Sequence, residues 1–81
     1  MRVRVKLFAV ARELAGRNEV EVAVAEGATV AQVRQALVAA VPALGDVLLH
    51  ALLAVDAKYA GDATVVTEQS ELALIPPVSG G

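Results

Sequence analysis

The last six residues of the chain are of types that leave the terminal carboxylate as their reactive group. They read Pro76-Pro77-Val78-Ser79-Gly80-Gly81. The final glycines place that carboxylate on a segment without side chains, which can thread a narrow channel and approach a nucleotide closely. The prolines stiffen the root of the segment, and six extended residues span at most about 20 Å. The pattern predicts a flexible tail over 76–81 that presents its carboxylate to another protein, with an ordinary frayed terminus as the alternative.

The side chains elsewhere offer little for catalysis or metal binding. The sequence contains no Cys and a single His, His50. The missing Cys excludes a thiol nucleophile and a disulfide framework, and one His cannot form a histidine metal cluster. His50 also has no evident partner in sequence for a Ser-His-Asp set. Asp46, Asp56 and Asp62 each lie beside a predicted turn and are interpreted as turn or cap residues. We therefore expect no metal and no cofactor bound by the chain itself.

Length and composition narrow the class of protein. The 81 residues allow one domain, and the 57% hydrophobic fraction predicts a core of aliphatic side chains because there is one Phe, one Tyr and no Trp. The net charge of −2 and the absence of a Lys/Arg run argue against a nucleic-acid partner. No segment is apolar enough to span a membrane, and the charged start does not fit a signal peptide, so we expect a cytoplasmic protein.

Hydrophobic periodicity predicts the regular elements. Strands are predicted at 2–8, 19–24, 52–55 and 71–75, and helices at 10–15 and 29–41. Thr29 and Gln32 form a capping-box sequence at the start of the long helix, and Pro42 ends it. Two stretches are ambiguous. Residues 43–50 are compatible with a short helix, and residues 63–67 are compatible with a weak strand at the edge of the sheet. The predicted apolar side of the long helix consists of Val30, Val33, Leu37, Ala40 and Val41.

The order of these elements predicts an α+β domain. One long amphipathic helix can cover one face of one mixed sheet, which leaves the other face open. The architecture that fits best is the β-grasp, or ubiquitin-like, roll. We expect this domain to occupy residues 1–75 and the tail to follow it directly.

Large apolar side chains are predicted on the outer face of the sheet, away from the helix. Alternation directs the aliphatic residues of the first strand inward, so Phe8 points outward. The leucines of the last strand point inward, so Ile75 points outward beside the tail. Exposed apolar groups near a functional terminus predict a partner interface, although scattered apolar side chains are also common on protein surfaces. The charged residues of this face, interpreted as a solvated stripe, are Arg2, Arg4 and Lys6.

Three stretches of the sequence match motifs of one known family. Lys6-Leu7-Phe8-Ala9 followed by Arg12-Glu13-Leu14-Ala15-Gly16 is similar to an F-A-x-x-R-E-x-x-G opening. Leu53-Ala54-Val55-Asp56 matches A-V-N except that Asp56 replaces Asn. The segment from Glu71 to Gly81 is similar to an ending with P-P-V-[ST]-G-G, whereas residues 67–70 depart from the usual D-G-D-type turn. The whole chain thus resembles the sulfur-carrier proteins of the MoaD/ThiS type, most closely those that form the small subunit of molybdopterin synthase.

The resemblance implies a β-grasp sulfur carrier whose reactive end is Gly80 and Gly81. In the family, an E1-like adenylyltransferase uses ATP to adenylate the terminal carboxylate, and sulfur then replaces AMP to give a thiocarboxylate. The large subunit of molybdopterin synthase, with which the carrier forms a heterotetramer, uses this sulfur on a cyclic pterin precursor of the molybdenum cofactor. The catalytic residues are expected in the partners.

The resemblance also implies which residues meet those partners. They are Phe8, Arg12, Tyr59 and Ile75 on the domain and Pro76, Pro77, Val78 and Ser79 in the tail. The alternatives are a sulfur carrier for thiamine or cysteine biosynthesis, a ubiquitin-like modifier joined to lysines through Gly81, and an interaction module in which the glycines are incidental.

Overall fold

The computed structural model describes residues 1–76 and contains five strands, three α-helices and one 3-10 helix in that range. In chain order they are β1 (Arg2–Leu7), α1 (Ala9–Ala15), β2 (Glu19–Ala23), α2 (Val30–Ala40), the 3-10 helix (Pro42–Leu44), α3 (Gly45–Leu48), β3 (Leu52–Val55), β4 (Lys58–Ala60) and β5 (Leu72–Ile75). Every predicted strand and helix is confirmed, with ends that differ by one residue at most. The ambiguous stretch 43–50 forms the 3-10 helix and α3, and 63–67 contributes an isolated bridge between Thr29 and Val65.

The sheet is mixed, and its last strand in sequence is the central one. The strand order is β2-β1-β5-β3-β4. β5 runs parallel to β1, whereas the β1–β2, β3–β5 and β3–β4 pairs are antiparallel. Leu74 of β5 lies opposite Leu7 on one side and Leu53 on the other. The strand that leads into the tail is therefore held on both sides, which confirms the predicted β-grasp architecture.

One face of the sheet packs against α2 to form an aliphatic core. The buried side of α2 consists of Val30, Val33 and Leu37, each 0% exposed. β1 alternates between exposed and buried positions, as period-two patterning predicts. No polar or charged residue among residues 1–76 is buried. The opposite face of the sheet, away from α2, is called here the outer face.

Two local motifs fix how the elements join. The predicted capping box at the start of α2 is present: the Thr29 hydroxyl accepts from the Gln32 N–H at 3.4 Å, and the Gln32 side chain accepts from the Thr29 N–H at 2.9 Å. Between β3 and β4, Asp56 and Ala57 have φ of 52° and 68°. Two consecutive left-handed residues form the type I′ turn that matches the twist of a hairpin.

No helix within residues 1–76 is both long and apolar enough to cross a membrane.

Candidate functional site

The root of the predicted tail lies at the end of the central strand. β5 ends at Ile75, and Pro76 comes directly after it with its side chain partly buried. β1 runs in the same direction as β5, so both strands end at the same edge of the sheet. The remaining predicted tail residues, Pro77, Val78, Ser79, Gly80 and Gly81, lie outside the described residues.

Phe8 lies at this same edge, immediately after β1. Its backbone is extended, with φ of −131° and ψ of 156°, so the alternation of the strand continues through it and its side chain faces outward. Ala9 then adopts a left-handed φ of 50° and turns the chain into α1. The Phe8 carbonyl accepts from the Ala11 N–H at 3.1 Å. Phe8 is 45% exposed, which confirms its predicted position.

Ile75 departs from the prediction of an exposed side chain, because it is partly buried. The physical reason is its place at the end of the central strand, where it has a strand partner on β3. Leu52 of β3 lies directly opposite Ile75 in the antiparallel register, so the two side chains share the outer face. Leu52 is 50% exposed. The larger exposed surface at this point therefore belongs to Leu52.

Tyr59 lies on the same face at the far edge of the sheet. It occupies the middle of β4, opposite Ala54, and is 70% exposed. Ala54 in turn lies opposite Ala73 of β5. Because alanine side chains are short, this row of the outer face carries little side-chain bulk between the larger groups around it, and it is called here the alanine trough. We call the group formed by Phe8, Leu52, Ala54, Tyr59, Ala73 and Ile75 the apolar outer patch.

The other half of the outer face is charged and internally paired. Arg2 Nη1 lies 3.2 Å from Glu21 Oε1. Arg4 Nε lies 3.5 Å from Glu21 Oε2 and 3.9 Å from Glu19 Oε1. These side chains are largely exposed, and such pairs contribute little to stability, typically about 0–1 kcal/mol each. The outer face is thus divided into a charged half on β1 and β2, in which Arg2 and Arg4 are ion-paired, and an apolar half on β5, β3 and β4.

Arg12 lies on α1 next to the edge where β1 and β5 end. It is exposed, and it lines a shallow depression with Lys6 and Phe8. Gly16, with φ of 72°, ends α1 and donates its N–H to the Arg12 carbonyl at 2.9 Å. The structure thus brings Phe8, Arg12, Ile75 and Pro76 to one edge of the sheet, with Tyr59 on the same face at a distance.

The chemistry of this arrangement is that of a binding surface. Residues 1–76 contain no group of three or more His, Cys, Asp or Glu side chains placed to hold a metal ion. His50 is exposed at the end of the α3 region. The described part of the site offers apolar area, exposed cations and a central strand that leads into the tail.

Leu52 is the site residue that sequence reasoning missed. The run Leu52 to Val55 is predicted to be a buried strand because it is apolar at every position. In the structure Leu53 is 0% exposed and Leu52 is 50% exposed, so these two neighbours face opposite sides of the sheet. Applying period two outward from Leu53 would have placed Leu52 on the outer face.

Several known proteins have similar sequences or structures. A molybdopterin synthase sulfur carrier subunit of Arabidopsis thaliana is 38% identical over 79 residues, covering 98% of this chain and 82% of that protein. The subunit of the same name from Chlamydomonas reinhardtii is 35% identical over 83 residues, covering 100% of both chains. Among solved structures, SAMP1 from Haloferax volcanii superimposes with a TM-score of 0.88 at 37% identity, covering 100% of both chains.

The family assignment rests on the extent of these matches. The ThiS family matches residues 5–81, a span that includes the second half of β1, all of the outer patch and the Gly-Gly ending. The matched span includes β2 to β5 and the Pro-Pro-Val-Ser-Gly-Gly ending. The chain belongs to the ThiS family.

Proposed function

We propose that this protein is the sulfur carrier subunit of a molybdopterin synthase and carries sulfur as a thiocarboxylate on Gly81. The observation that carries the proposal is the similarity over nearly the whole chain to proteins named molybdopterin synthase sulfur carrier subunit. The geometry supports it, because the central strand β5 ends at Ile75 in the apolar outer patch, directly before the segment whose sequence ends in Gly-Gly.

The terminal carboxylate needs activation before it can accept sulfur. A carboxylate is a poor electrophile because neither oxygen is a good leaving group. In the proposed reaction, an E1-like adenylyltransferase joins the Gly81 carboxylate to the AMP moiety of ATP, with release of pyrophosphate. Sulfur at the oxidation level of hydrosulfide then attacks the acyl carbon, the bond from that carbon to the AMP oxygen breaks, and AMP leaves the thiocarboxylate behind. The chain has no Cys, so its side chains offer no thiol on which a persulfide could form.

The described domain contributes position rather than catalysis. β5 is hydrogen-bonded on both sides, so the root of the tail at Pro76 has a fixed place relative to the outer patch. A partner that binds the patch therefore receives the tail from a defined point. Six extended residues reach at most about 20 Å, so the partner's reactive centre must lie within that distance of Ile75.

The partner proposed for sulfur delivery is the large subunit of molybdopterin synthase, which would bind the cyclic pterin precursor. The test is a reconstitution in which thiocarboxylated carrier, large subunit and precursor are mixed and the product is measured. We expect sulfur to appear in the product as the carrier returns to its carboxylate form. A carrier lacking Gly81 should keep its fold and deliver none. Equal product with and without Gly81 would overturn the proposal.

A second candidate function is protein modification. The observation that favours it is the 37% identity over the full chain to SAMP1 of Haloferax volcanii, a small archaeal modifier protein. The same activated Gly81 could form an amide with a lysine amine instead of accepting sulfur. Peptide mass spectrometry of cell extracts distinguishes the two uses, because conjugation leaves the carrier's C-terminal residues attached to lysines of other proteins.

A further inference from the structure

The cations near the tail differ in whether the chain itself neutralises them. Arg2 and Arg4 lie within 4 Å of the carboxylates of Glu19 and Glu21. Lys6 and Arg12 form no ion pair with any of residues 1–76. The division is spatial as well, because the paired cations lie toward the start of β1 and the unpaired ones toward its end.

Lys6 borders the apolar outer patch directly. One row of register partners crosses the sheet in the order Glu19, Lys6, Ala73, Ala54, Tyr59. Lys6 and Tyr59 thus stand at opposite sides of the alanine trough. Adjacent strands are about 4.8 Å apart, so the trough between β1 and β4 is roughly 14 Å wide. A partner that binds across the patch therefore contacts the Lys6 side chain.

Lys6 and Arg12 also share one concave surface with Phe8. The depression between β1 and α1 has a volume of about 220 Å³ and is lined by Lys6, Leu7, Phe8, Arg12, Asn18 and Glu19. Among these lining residues the carboxylate is that of Glu19, which lies 3.9 Å from Arg4 Nε and is drawn toward that guanidinium. The depression therefore presents an excess of positive charge beside the root of the tail.

We propose that Lys6 and Arg12 form a basic flank that pairs with carboxylates on the large subunit, the protein that receives the tail for sulfur delivery. The inference rests on the proposed function and adds the chemistry of the partner's surface: an apolar centre for the outer patch, with Asp or Glu side chains on the side that faces β1 and α1. The apolar contact provides affinity. The charge pair accelerates encounter and fixes the orientation in which the tail enters, as complementary charges do at other interfaces.

The flank suits a protein surface rather than nucleic acid or lipid. The chain has a net charge of −2, and the flank contains two cations next to an apolar patch. A polyanion would require an extended basic surface. A local pair of cations at the edge of apolar area is the pattern of a protein interface with a charged rim.

The test measures association of the carrier with the large subunit by stopped flow, at low and at high ionic strength. The variants are Lys6→Glu, Arg12→Glu and the double variant. Lys58→Glu is the matched control, because Lys58 is exposed, makes no ion pair within residues 1–76 and lies opposite Val55 on the other side of the sheet. Because Lys6→Glu would place two carboxylates in register with each other, the Lys6→Gln/Arg12→Gln variant provides a second measurement free of that repulsion.

For the double Glu variant we expect association at low salt to slow by roughly tenfold or more, with a difference that shrinks at high salt because ions screen surface charges. Lys58→Glu should change the rate by less than about twofold. Wild-type association rates for both double variants, or an equal loss for Lys58→Glu, would overturn the basic flank. These outcomes differ from a failure of the wild-type carrier to bind the large subunit, which would instead contradict the proposed function.

Discussion

Asp56 and Glu71 are joined by a reciprocal pair of hydrogen bonds that anchors the β3–β4 turn to the start of β5. The Asp56 N–H donates to the Glu71 carbonyl at 2.9 Å, and the Glu71 N–H donates to Asp56 Oδ1 at 2.9 Å. The Asp56 backbone is left-handed, a conformation that Asp and Asn tolerate better than most residues. One side chain thus holds the hairpin beside the strand that leads into the tail.

Replacing Asp56 by Ala should lower the free energy of unfolding by about 1–2 kcal/mol, because it removes one hydrogen bond and places a less tolerant residue at positive φ. Asp56→Asn is the matched control. Its amide oxygen can accept the same bond, and Asn is well suited to the left-handed region, so we expect stability within about 0.5 kcal/mol of wild type. Urea denaturation followed by circular dichroism measures both. Equal midpoints for the two variants would show that the side-chain bond contributes nothing.

Ala57→Gly should stabilise the protein. Ala57 has φ of 68°, where an L-residue with a Cβ is strained by about 1 kcal/mol and Gly is not. Part of that gain is offset by the greater entropy of Gly in the unfolded chain, so we expect a net rise of roughly 0.5 kcal/mol. Ala39→Gly, on the exposed side of α2, is the control and should cost about 1 kcal/mol. A loss of stability at both positions would contradict the type I′ turn.

Leu37→Ala should destabilise the protein by roughly 2–5 kcal/mol, the usual cost of truncating a buried Leu. Leu37 is 0% exposed on the side of α2 that packs against the sheet. Its neighbour Val38 is 38% exposed, so Val38→Ala should cost less than about 1 kcal/mol. Thermal and urea unfolding of the two variants show which side of α2 packs against the sheet. Similar losses at the two positions would mean that the helix is rotated relative to the sheet.

The regular elements could be predicted from sequence because each obeys a local rule. β1 alternates strictly, and α2 begins at a capping box and ends before Pro42. The stretch 43–50 could not be resolved, because a 3-10 turn followed by a four-residue helix gives no stable period to read. For α2, the predicted inward position of Ala40 is wrong, since Ala40 is the last helical residue and is exposed.

The site was harder to predict because exposure depends on neighbours that are distant in sequence. Alternation correctly assigned the faces of Phe8 and Ile75. It could not show that Ile75 is partly buried, since the strand order that places β5 between β1 and β3 is a property of the whole fold. The register of Leu52 with Ile75 depends on the same order. Ion pairing could not be predicted for the same reason, because it depends on residues of another strand. The outward cations of β1 look alike in sequence, yet only Arg2 and Arg4 have partners within residues 1–76.

The outer patch should carry most of the affinity for the large subunit. Truncating a central apolar anchor commonly costs about 2 kcal/mol, so Phe8→Ala and Leu52→Ala should each weaken binding by roughly thirtyfold. Ile75→Ala should do the same with a larger loss of stability, because Ile75 is partly buried. Titration calorimetry with the purified large subunit measures these effects.

Leu49→Ala is the matched control for the patch. Leu49 is 75% exposed, more than Phe8 or Leu52, and lines a groove with Val38 on the helical side of the domain. We expect its removal to change affinity by less than about twofold, as surface substitutions away from an interface do. Equal weakening by Leu49→Ala, or wild-type affinity for Phe8→Ala and Leu52→Ala, would show that the outer patch is not the docking surface.

The central claim is that Gly81 carries sulfur, and the mass of the C-terminal peptide tests it most directly. The protein is isolated from its source under non-reducing conditions, and the C-terminal peptide is analysed by mass spectrometry. We predict a fraction of this peptide whose mass is higher by the difference between one sulfur and one oxygen atom, with the fragment ions placing that difference on Gly81. A C-terminal peptide found only with an ordinary carboxylate, in cells that are actively making molybdenum cofactor, would contradict sulfur carriage by this protein.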